Sequence, residues 1–193
     1  IAALNQNQVK IETAKASSFV EKELVTWLHR LVFNRTDRFY EKNVQNPPAS
    51  LRNVTSAGTL ANLPALSVAR EKAFPSEGAF GGVRREGMAR ALAHYGCRRG
   101  VVFVSTRGHY SIAKAANLLG IGSDNVVTVP VDRDNRMDVK KLRRRIRALR
   151  SDERVLAIIG IAGTTETGNV DDLETLGKVC RDCGAHFHVD ACW

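Results

Sequence analysis

The sequence has little cysteine, proline and tryptophan and no long apolar run, and these scarcities exclude several classes of protein. Four cysteines in 193 residues, without secretory context, indicate free thiols rather than a disulfide framework. The longest apolar run, residues 155–163, is much shorter than the roughly 18 residues that a membrane-spanning helix needs. Five prolines and fifteen glycines show no collagen-like or low-complexity bias. The composition, 44% hydrophobic and 25% charged, predicts a globular chain with one sizeable core.

The beginning of the sequence carries no recognisable targeting signal. Residues 1–19 lack the basic flank, the apolar segment and the cleavage site of a signal peptide. We therefore expect a cytoplasmic protein with no membrane partner.

The formal net charge of +9 is concentrated in one segment. Residues 138–150 contain seven Lys or Arg against one Asp. Val139, Leu142, Ile146 and Leu149 recur there at helical spacing, which predicts one buried stripe with the basic residues on the remaining face. No aromatic residue interleaves the charges, so the pattern favours a solvated helix face; a surface for nucleic acid or another polyanion is the second interpretation.

The first fifty residues are predicted to form an N-terminal helical segment and a linker. The apolar spacing predicts a packing helix over about 18–33, with Ser18 and Glu21 as its capping box. The polar stretch 34–50 contains consecutive prolines, which cannot continue a helix, and we interpret it as the linker. Residues 51–193 form the main body.

Apolar runs rich in Val and Ile alternate with helical patterns throughout the main body. Predicted strands cover residues 101–105, 125–131, 155–163 and 185–191, and predicted helices lie near 60–73, 88–95, 110–119, 138–150 and 171–182. Nearly continuous apolar strands are covered on both faces. The predicted fold class is therefore α/β, with a mostly parallel sheet flanked by helices and a ligand site at the carboxyl ends of the strands.

Small residues precede the first helix of the main body. In residues 55–59, Thr-Ser-Ala-Gly-Thr, they stand where the free N–H groups of a helix N-terminus can bind phosphate. A turn merely capped by Thr59 explains the same pattern. If Thr59 is the cap, Pro64 clashes with the carbonyl of Leu60, which predicts a shifted first turn or a kink.

Polar residues follow three of the predicted strands. The loops 105–111 and 162–168 come after apolar strands, and in the last strand His186, His188, Asp190 and Cys192 share one face. A carboxylate there needs a cationic or hydrogen-bonding partner. Asp190 is therefore either a functional carboxylate or a structural one held by backbone N–H groups.

Four motifs in this order resemble the group II pyridoxal-phosphate-dependent amino-acid decarboxylases. They are T-S-A-G-T-L-A-N-L-x-A-L (55–66), G-H-Y-S-x-x-K-A (108–115), I-A-G-T-T-E-T-G-N-V-D (161–171) and H-V-D-A-C-W (188–193). The resemblance runs from about residue 50 to residue 193. It implies the large domain of fold type I, pyridoxal 5'-phosphate as cofactor, carboxy-lyase activity and a homodimer.

The resemblance also implies which residues bind the cofactor: Ala57, Gly58, Thr59, His109, Thr164, Asp190 and Cys192. The first three would hold the phosphate, His109 would stack on the pyridine ring, and Thr164 would lie near the ring hydroxyl. Asp190 would pair with the pyridine nitrogen, and Cys192 would lie beneath the ring. His109 and Asp190 are the expected catalytic residues, because a carboxylate that keeps the nitrogen protonated favours electron withdrawal by the ring.

The family's Schiff-base lysine has no counterpart in this sequence. It lies a few tens of residues beyond the last motif, and none of the nine lysines follows Asp190. Lys114 belongs to a motif that is not the Schiff-base site. We therefore expect residues 51–193 to be the first part of the cofactor domain of a larger enzyme, and the isolated chain to be inactive.

The motifs are most similar to those of bacterial aspartate 1-decarboxylases, which make β-alanine. None of their residues reads a substrate side chain, so glutamate, cysteine sulfinate and diaminobutyrate fit as well. Arg107 is a local candidate for binding a distal carboxylate, and a solvent-facing loop residue is the alternative.

A zinc module is the competing interpretation from a different class. Cys180 and Cys183 form a C-x-x-C pair, with His186, His188 and Cys192 nearby. A structural zinc site of two pairs needs the second pair across a loop, whereas the two histidines lie on a predicted buried strand. We therefore expect no metal ligands.

Overall fold

The chain, described by a computed structural model over residues 16–46, 51 and 54–192, divides into two units between Val54 and Thr55. No helix in these ranges is long and apolar enough to cross a bilayer. The assignment of residues 51–193 to the first part of a cofactor domain stays a prediction.

The first unit contains helix α1, Ala16–Phe33, and helix α2, Asp37–Asn43. The predicted capping box is wrong, because Ser18 lies inside α1. Helix α2 occupies part of the predicted linker: Thr36 caps it by accepting a hydrogen bond from the Phe39 N–H at 3.3 Å. A capped helix of seven residues provides too short a pattern to be distinguished from a polar linker. The prolines of the predicted linker lie outside the described residues.

Large apolar side chains of α1 are exposed. Trp27 is 65% exposed and Leu31 is 82% exposed, and several neighbours are similarly open to solvent. The predicted helix is thus present, but in this single chain its apolar residues are not packed as predicted.

The second unit is a parallel sheet with helices on both faces, which confirms the predicted fold class. Its elements are helix α3 (Gly58–Ala73), helix α4 (Val83–His94), strand β1 (Arg99–Ser105), helix α5 (Ser111–Leu118), strand β2 (Val126–Val129), helix α6 (Val139–Arg147), strand β3 (Glu153–Ile161), helix α7 (Leu173–Cys183) and strand β4 (His186–Asp190). The strand order is β2-β1-β3-β4, and every pairing is parallel.

Alternation along the central strands builds two cores. Val102 and Val104 of β1 face the core that α3, α4 and α5 cover, whereas Val101 and Phe103 face the core under α6 and α7. One irregularity interrupts the β1–β3 pairing, where Val101 pairs with Val155 and Val102 with Ala157. The extra residue at this bulge, Leu156, packs on the first core.

The basic helix α6 has the predicted buried stripe. Leu142 is fully buried, and Val139, Ile146 and Leu149 pack against the second core. Asp138 caps the helix by accepting a hydrogen bond from the Lys141 N–H at 3.0 Å.

The start of α3 differs from the prediction. Ala57, not Thr59, is the N-cap residue, and the Ala61 N–H donates to the Ala57 carbonyl at 3.0 Å. Pro64 lies inside the helix, which continues to Ala73. Pro64 has no N–H to donate to the carbonyl of Leu60, so the helix continues with one hydrogen bond fewer at this position.

Gly108 makes the turn between β1 and α5 possible, and its replacement tests this packing. A Cβ atom there would lie 2.5 Å from Cγ2 of Val104 and 3.1 Å from the Ser105 carbonyl oxygen. We expect Gly108→Ala to lower the free energy of unfolding by roughly 1–3 kcal/mol, because a β-branched neighbour in a strand has little freedom to move.

Gly177→Ala is the matched control for urea unfolding. Gly177 is buried on α7, where an added Cβ meets Phe187 at an ordinary 3.6 Å. Alanine is the better helix former, so this variant should gain up to about 1 kcal/mol. Equal losses in both variants would contradict the packing described.

Candidate active site

A cleft opens at the carboxyl ends of β1, β3 and β4. From β1 the chain turns to β2 on one side of the sheet and then crosses to β3 on the other side. The loops after β1 and β3 therefore diverge, and such a topological switch point is where open α/β sheets bind ligands. The N-terminus of α3 and the end of β4 complete the cleft.

The N-terminus of α3 presents backbone donors to the cleft. Its first intrahelical hydrogen bond comes from the Ala61 N–H, so the N–H groups of Gly58, Thr59 and Leu60 precede the helical ladder. The N-cap residue Ala57 provides no side-chain acceptor. A helix N-terminus of this kind favours an anion such as phosphate.

Close packing against β4 explains the glycine at the start of α3. A Cβ atom at Gly58 would lie 2.3 Å from Sγ of Cys192. The backbone of α3 and the end of the strand can approach this closely only because residue 58 has no side chain.

The loop after β1 positions His109 at the cleft. Its Nδ1 atom lies 2.8 Å from Ser111 Oγ, and the Ser111 N–H donates to the same nitrogen at 3.3 Å. Ser111 is fully buried at the start of α5, whereas His109 is exposed in this chain. The imidazole is thus held from one side and open to the cleft on the other.

The loop after β3 presents Thr164, which is 5% exposed. Its hydroxyl lies 2.8 Å from Thr167 Oγ1 and accepts from the Asn169 N–H at 3.0 Å. The loop ends at Asp171, whose carboxylate accepts from the N–H groups of Met137 at 2.7 Å and Ile161 at 2.9 Å. Asp171 is therefore a structural carboxylate that ties the loop to β3.

Asp190 ends β4 with its side chain at the cleft. Its Oδ2 atom accepts a hydrogen bond from Asn62 Nδ2 at 3.1 Å. The partner is thus a side-chain amide and not backbone N–H groups, which was the structural alternative for this residue. Its own carbonyl accepts from the Ala162 N–H at 2.8 Å.

The seven predicted cofactor residues come together although up to 135 positions separate them in the sequence. All line the one cleft, together with Arg107: Ala57, Gly58, Thr59, His109, Thr164, Asp190 and Cys192. Arg107 Nε donates to Asn135 Oδ1 at 2.9 Å. Which role each residue has in the cleft stays a prediction.

Asn62 and Ser111 belong to the cleft and escape the sequence prediction. Both lie inside the motifs that carry the family resemblance, but neither residue type by itself indicates a cofactor contact. The signal that could have found them is a small polar residue on an otherwise apolar helix face, since Asn62 is 3% exposed and Ser111 fully buried. Buried polar side chains need partners, and partners across two helices mark a site.

The residues present fit pyridoxal 5'-phosphate. The helix N-terminus suits the phosphate, and the carboxylate of Asp190, which lines the same cleft, suits a protonated ring nitrogen. At Gly58 the packing against Cys192 leaves no space for a Cβ atom. The start of α3 therefore offers a backbone N–H group, and no side chain, at this position.

The zinc interpretation finds no support in the structure. Among residues 16–46, 51 and 54–192 no group of three or more His, Cys, Asp or Glu side chains is arranged to hold a metal ion. Cys180 packs in the core under α7, where burial raises its pKa to about 12, whereas Cys192 lines the cleft. Two of the proposed zinc ligands thus lie in different places, one in the core and one at the cleft.

Comparison with known proteins identifies the family. The sequence matches the pyridoxal-dependent decarboxylase conserved domain over residues 1–193, and the chain belongs to this family. Pyridoxal phosphate is the cofactor that the family implies, and the resemblance inferred from the four motifs is confirmed.

Two curated relatives show the range of activities in the family. The chain is 47% identical over 192 residues to an aspartate 1-decarboxylase of Aliivibrio fischeri, covering 99% of this chain and 35% of that protein. It is 30% identical over 200 residues to an L-2,4-diaminobutyrate decarboxylase of Acinetobacter baumannii, covering 100% of this chain and 36% of that protein. The chain thus spans about a third of the length of these relatives.

Solved structures agree on the fold. The glutamate decarboxylase domain of a Vibrio parahaemolyticus protein, described as a diaminobutyrate-pyruvate transaminase and L-2,4-diaminobutyrate decarboxylase, matches with a TM-score of 0.76 and 27% identity, covering 100% of this chain and 38% of that one. Mouse CSAD matches with a TM-score of 0.76 and 27% identity, covering 97% and 35%. The described sheet is therefore part of a fold type I large domain.

The contact between Gly58 and Cys192 can be tested by a double-mutant cycle. Gly58→Ala should destabilise the full-length protein by roughly 1–3 kcal/mol, because the new methyl group overlaps the Cys192 sulfur. Adding Cys192→Ala removes the sulfur and leaves a contact of 3.4 Å to Cβ, so the double variant should recover most of the loss. Additive losses in urea unfolding would argue against the contact.

The histidine at the start of β4 predicts a loss of stability in weak acid. Burial, with a smaller effect from Lys72, lowers the pKa of His186 from 6.5 to about 4. Between these pH values the unfolded chain binds more protons at this residue, so the free energy of unfolding falls as the pH falls. In urea unfolding, His186→Gln should lose less stability than the wild type from pH 6.5 to pH 4, and identical slopes would refute the assignment.

Proposed function

We propose that the protein to which this chain belongs catalyses the pyridoxal-phosphate-dependent decarboxylation of an L-amino acid. The observation that carries the proposal is one cleft lined by both a helix N-terminus and the carboxylate of Asp190. Family membership and the decarboxylase names of the relatives support the same reaction class.

The chemistry that pyridoxal phosphate supplies when bound is an electron sink for the bond between Cα and the carboxylate. Asp190 holds a proton on the pyridine nitrogen by its negative charge, which favours this electron withdrawal. The N–H groups at the start of α3, from Gly58 and Thr59, bind the phosphate. His109 would stack on the pyridine ring, Cys192 would lie beneath the ring, and Thr164 would lie near the ring hydroxyl.

For the substrate we propose an acidic amino acid, with aspartate as the first candidate. The identity of 47% to an aspartate 1-decarboxylase supports it. Arg107 lines the cleft with its guanidinium anchored through Nε to Asn135, and its terminal nitrogens suit a distal carboxylate. The relative that acts on diaminobutyrate supports the alternative, a basic substrate.

We also propose a homodimer in the cytoplasm. Apolar side chains of α1 are exposed, Trp27 and Leu31 among them. Their exposure supports a second subunit that covers them. The cytoplasmic location stays the expectation stated from the sequence.

Removal of the Asp190 charge tests the proposed reaction. In the full-length protein, Asp190→Ala should lower the rate of CO2 release at least about a hundredfold, because the ring nitrogen loses its counter-charge. Asp190→Asn should also cause a large loss, since an amide keeps the shape without the charge.

Asp182→Asn is the matched control, because this carboxylate is exposed and pairs with Arg143 on the far side of the sheet. It should keep wild-type rates. Most of the activity surviving in Asp190→Ala would contradict the proposal. Rates on aspartate, glutamate and 2,4-diaminobutyrate should be measured together, and a preference for the diamino acid would replace the acidic substrate without affecting the reaction class.

A further inference from the structure

A buried hydrogen-bond network connects α3, α5 and β4 beneath the cleft. At its centre Asn62 is 3% exposed in the second turn of α3. Its Nδ2 atom lies 3.0 Å from Ser111 Oγ and 3.1 Å from Asp190 Oδ2, and its Oδ1 atom lies 2.8 Å from His188 Nε2. Ser111 Oγ in turn lies 2.8 Å from His109 Nδ1. The network thus joins the two residues with proposed catalytic roles.

The direction of these hydrogen bonds follows from the one member that cannot donate. An ionised carboxylate only accepts, so the Asn62 atom that faces Asp190 is the amide nitrogen. The amide oxygen then faces His188, whose Nε2 must carry a proton to donate to it. Burial lowers the pKa of His188, in agreement with a neutral ring, and the contact with the Asn62 oxygen assigns its single proton to Nε2.

The same reasoning assigns the proton on His109. The Asn62 amide has two hydrogens, one for Asp190 and one for Ser111 Oγ. The Ser111 hydroxyl has accepted this bond and donates its own hydrogen to His109 Nδ1, which also accepts from the Ser111 N–H. Because Nδ1 accepts in both contacts, the proton of the neutral imidazole lies on Nε2.

We propose that Asn62 is a positioning residue that orients the Asp190 carboxylate and, through the Ser111 hydroxyl, holds His109 in the tautomer protonated at Nε2. The proposal rests on the proposed function, because it assigns the network to the cofactor cleft. Within the described part of the chain, only Oδ2 of Asp190 is held by a side chain, so Oδ1 is available to the cleft. His109 Nε2 becomes the ring nitrogen that exchanges a proton with a ligand.

Stability alone does not account for this residue. Asparagine is a poor helix former, and burying its amide costs free energy unless each group is bonded. An apolar side chain on α3 would pack at lower cost, as Leu66 does one turn further along. The amide instead makes three hydrogen bonds to α5 and β4, all of them to residues at or beside the cleft.

The first test reads the His109 tautomer without cofactor. Nitrogen-15 NMR of the histidine rings in the cofactor-free full-length protein, assigned with His109→Gln, should show Nε2 protonated. Asn62→Asp keeps the shape but removes both donors, so the Ser111 hydroxyl turns to the new carboxylate and the His109 proton moves toward Nδ1. Ser111→Ala should weaken the Nε2 preference, and Ser111→Thr, which keeps the hydroxyl, should retain it.

The second test measures binding of pyridoxal phosphate by absorbance titration. Asn62→Asp should weaken binding about ten- to hundredfold, as expected when a charged group loses a hydrogen bond and gains a like charge nearby. Ser67→Ala is the control, because it removes a hydroxyl on the same helix that bonds only to Glu71 within that helix. It should bind like the wild type.

The outcomes separate the two proposals. A wild-type protein that binds no pyridoxal phosphate would overturn the proposed function, whereas the NMR experiment would still decide the network. Wild-type tautomer and affinity in Asn62→Asp would overturn the positioning role while the decarboxylase assignment stands. If circular dichroism shows that Asn62→Asp is unfolded, Ser111→Ala and Ser111→Thr carry the test, and equal tautomer populations in these two variants would overturn it.

Discussion

The parallel pairing of β1 with β3 is the constraint on which the candidate site depends. Parallel strands end at the same side of a sheet, so residues that follow β1 and β3 must lie near each other even though more than fifty positions separate them. Because the chain leaves β1 toward β2 and returns on the far side at β3, the two loops separate and open a cleft. His109 and Thr164 face this cleft for that reason alone.

Contacts made by α3 place specific chemical groups in this cleft. The helix packs on the same core as Val102 and Val104, which brings its N-terminus over the strand ends. Gly58 permits contact with Cys192 at the end of β4, and Asn62 bonds to Asp190 one turn later. One helix therefore supplies both the anion-binding N–H groups of the cleft and the side chain that orients the Asp190 carboxylate. Such a helix cannot shift without disturbing both.

Much of this arrangement could be predicted because it depends on patterns of period two or on strand order. The strands read as apolar runs, the four observed strands overlap the four predicted ones, and the cleft contains all seven predicted cofactor residues. Features decided by one local contact could not be predicted. Helix α2 depends on a single Thr36 cap. Helix α4 has an additional first turn from Val83, which a kink at Gly87, with a φ of 79°, separates from the helix predicted from Met88. The N-cap at Ala57 has no side-chain signal at all.

Two acidic residues near the ends of neighbouring strands show why function is harder to predict than fold. Asp171 ends the motif 161–171 and Asp190 lies within the motif 188–193, and residue type alone does not say which carboxylate is structural. Backbone N–H groups satisfy both oxygens of Asp171, so this carboxylate has no strong acceptor left for a ligand. A side-chain amide satisfies one oxygen of Asp190 and leaves the other at the cleft. The distinction depends on which groups the tertiary fold brings within 3 Å, and no local pattern in the sequence encodes it.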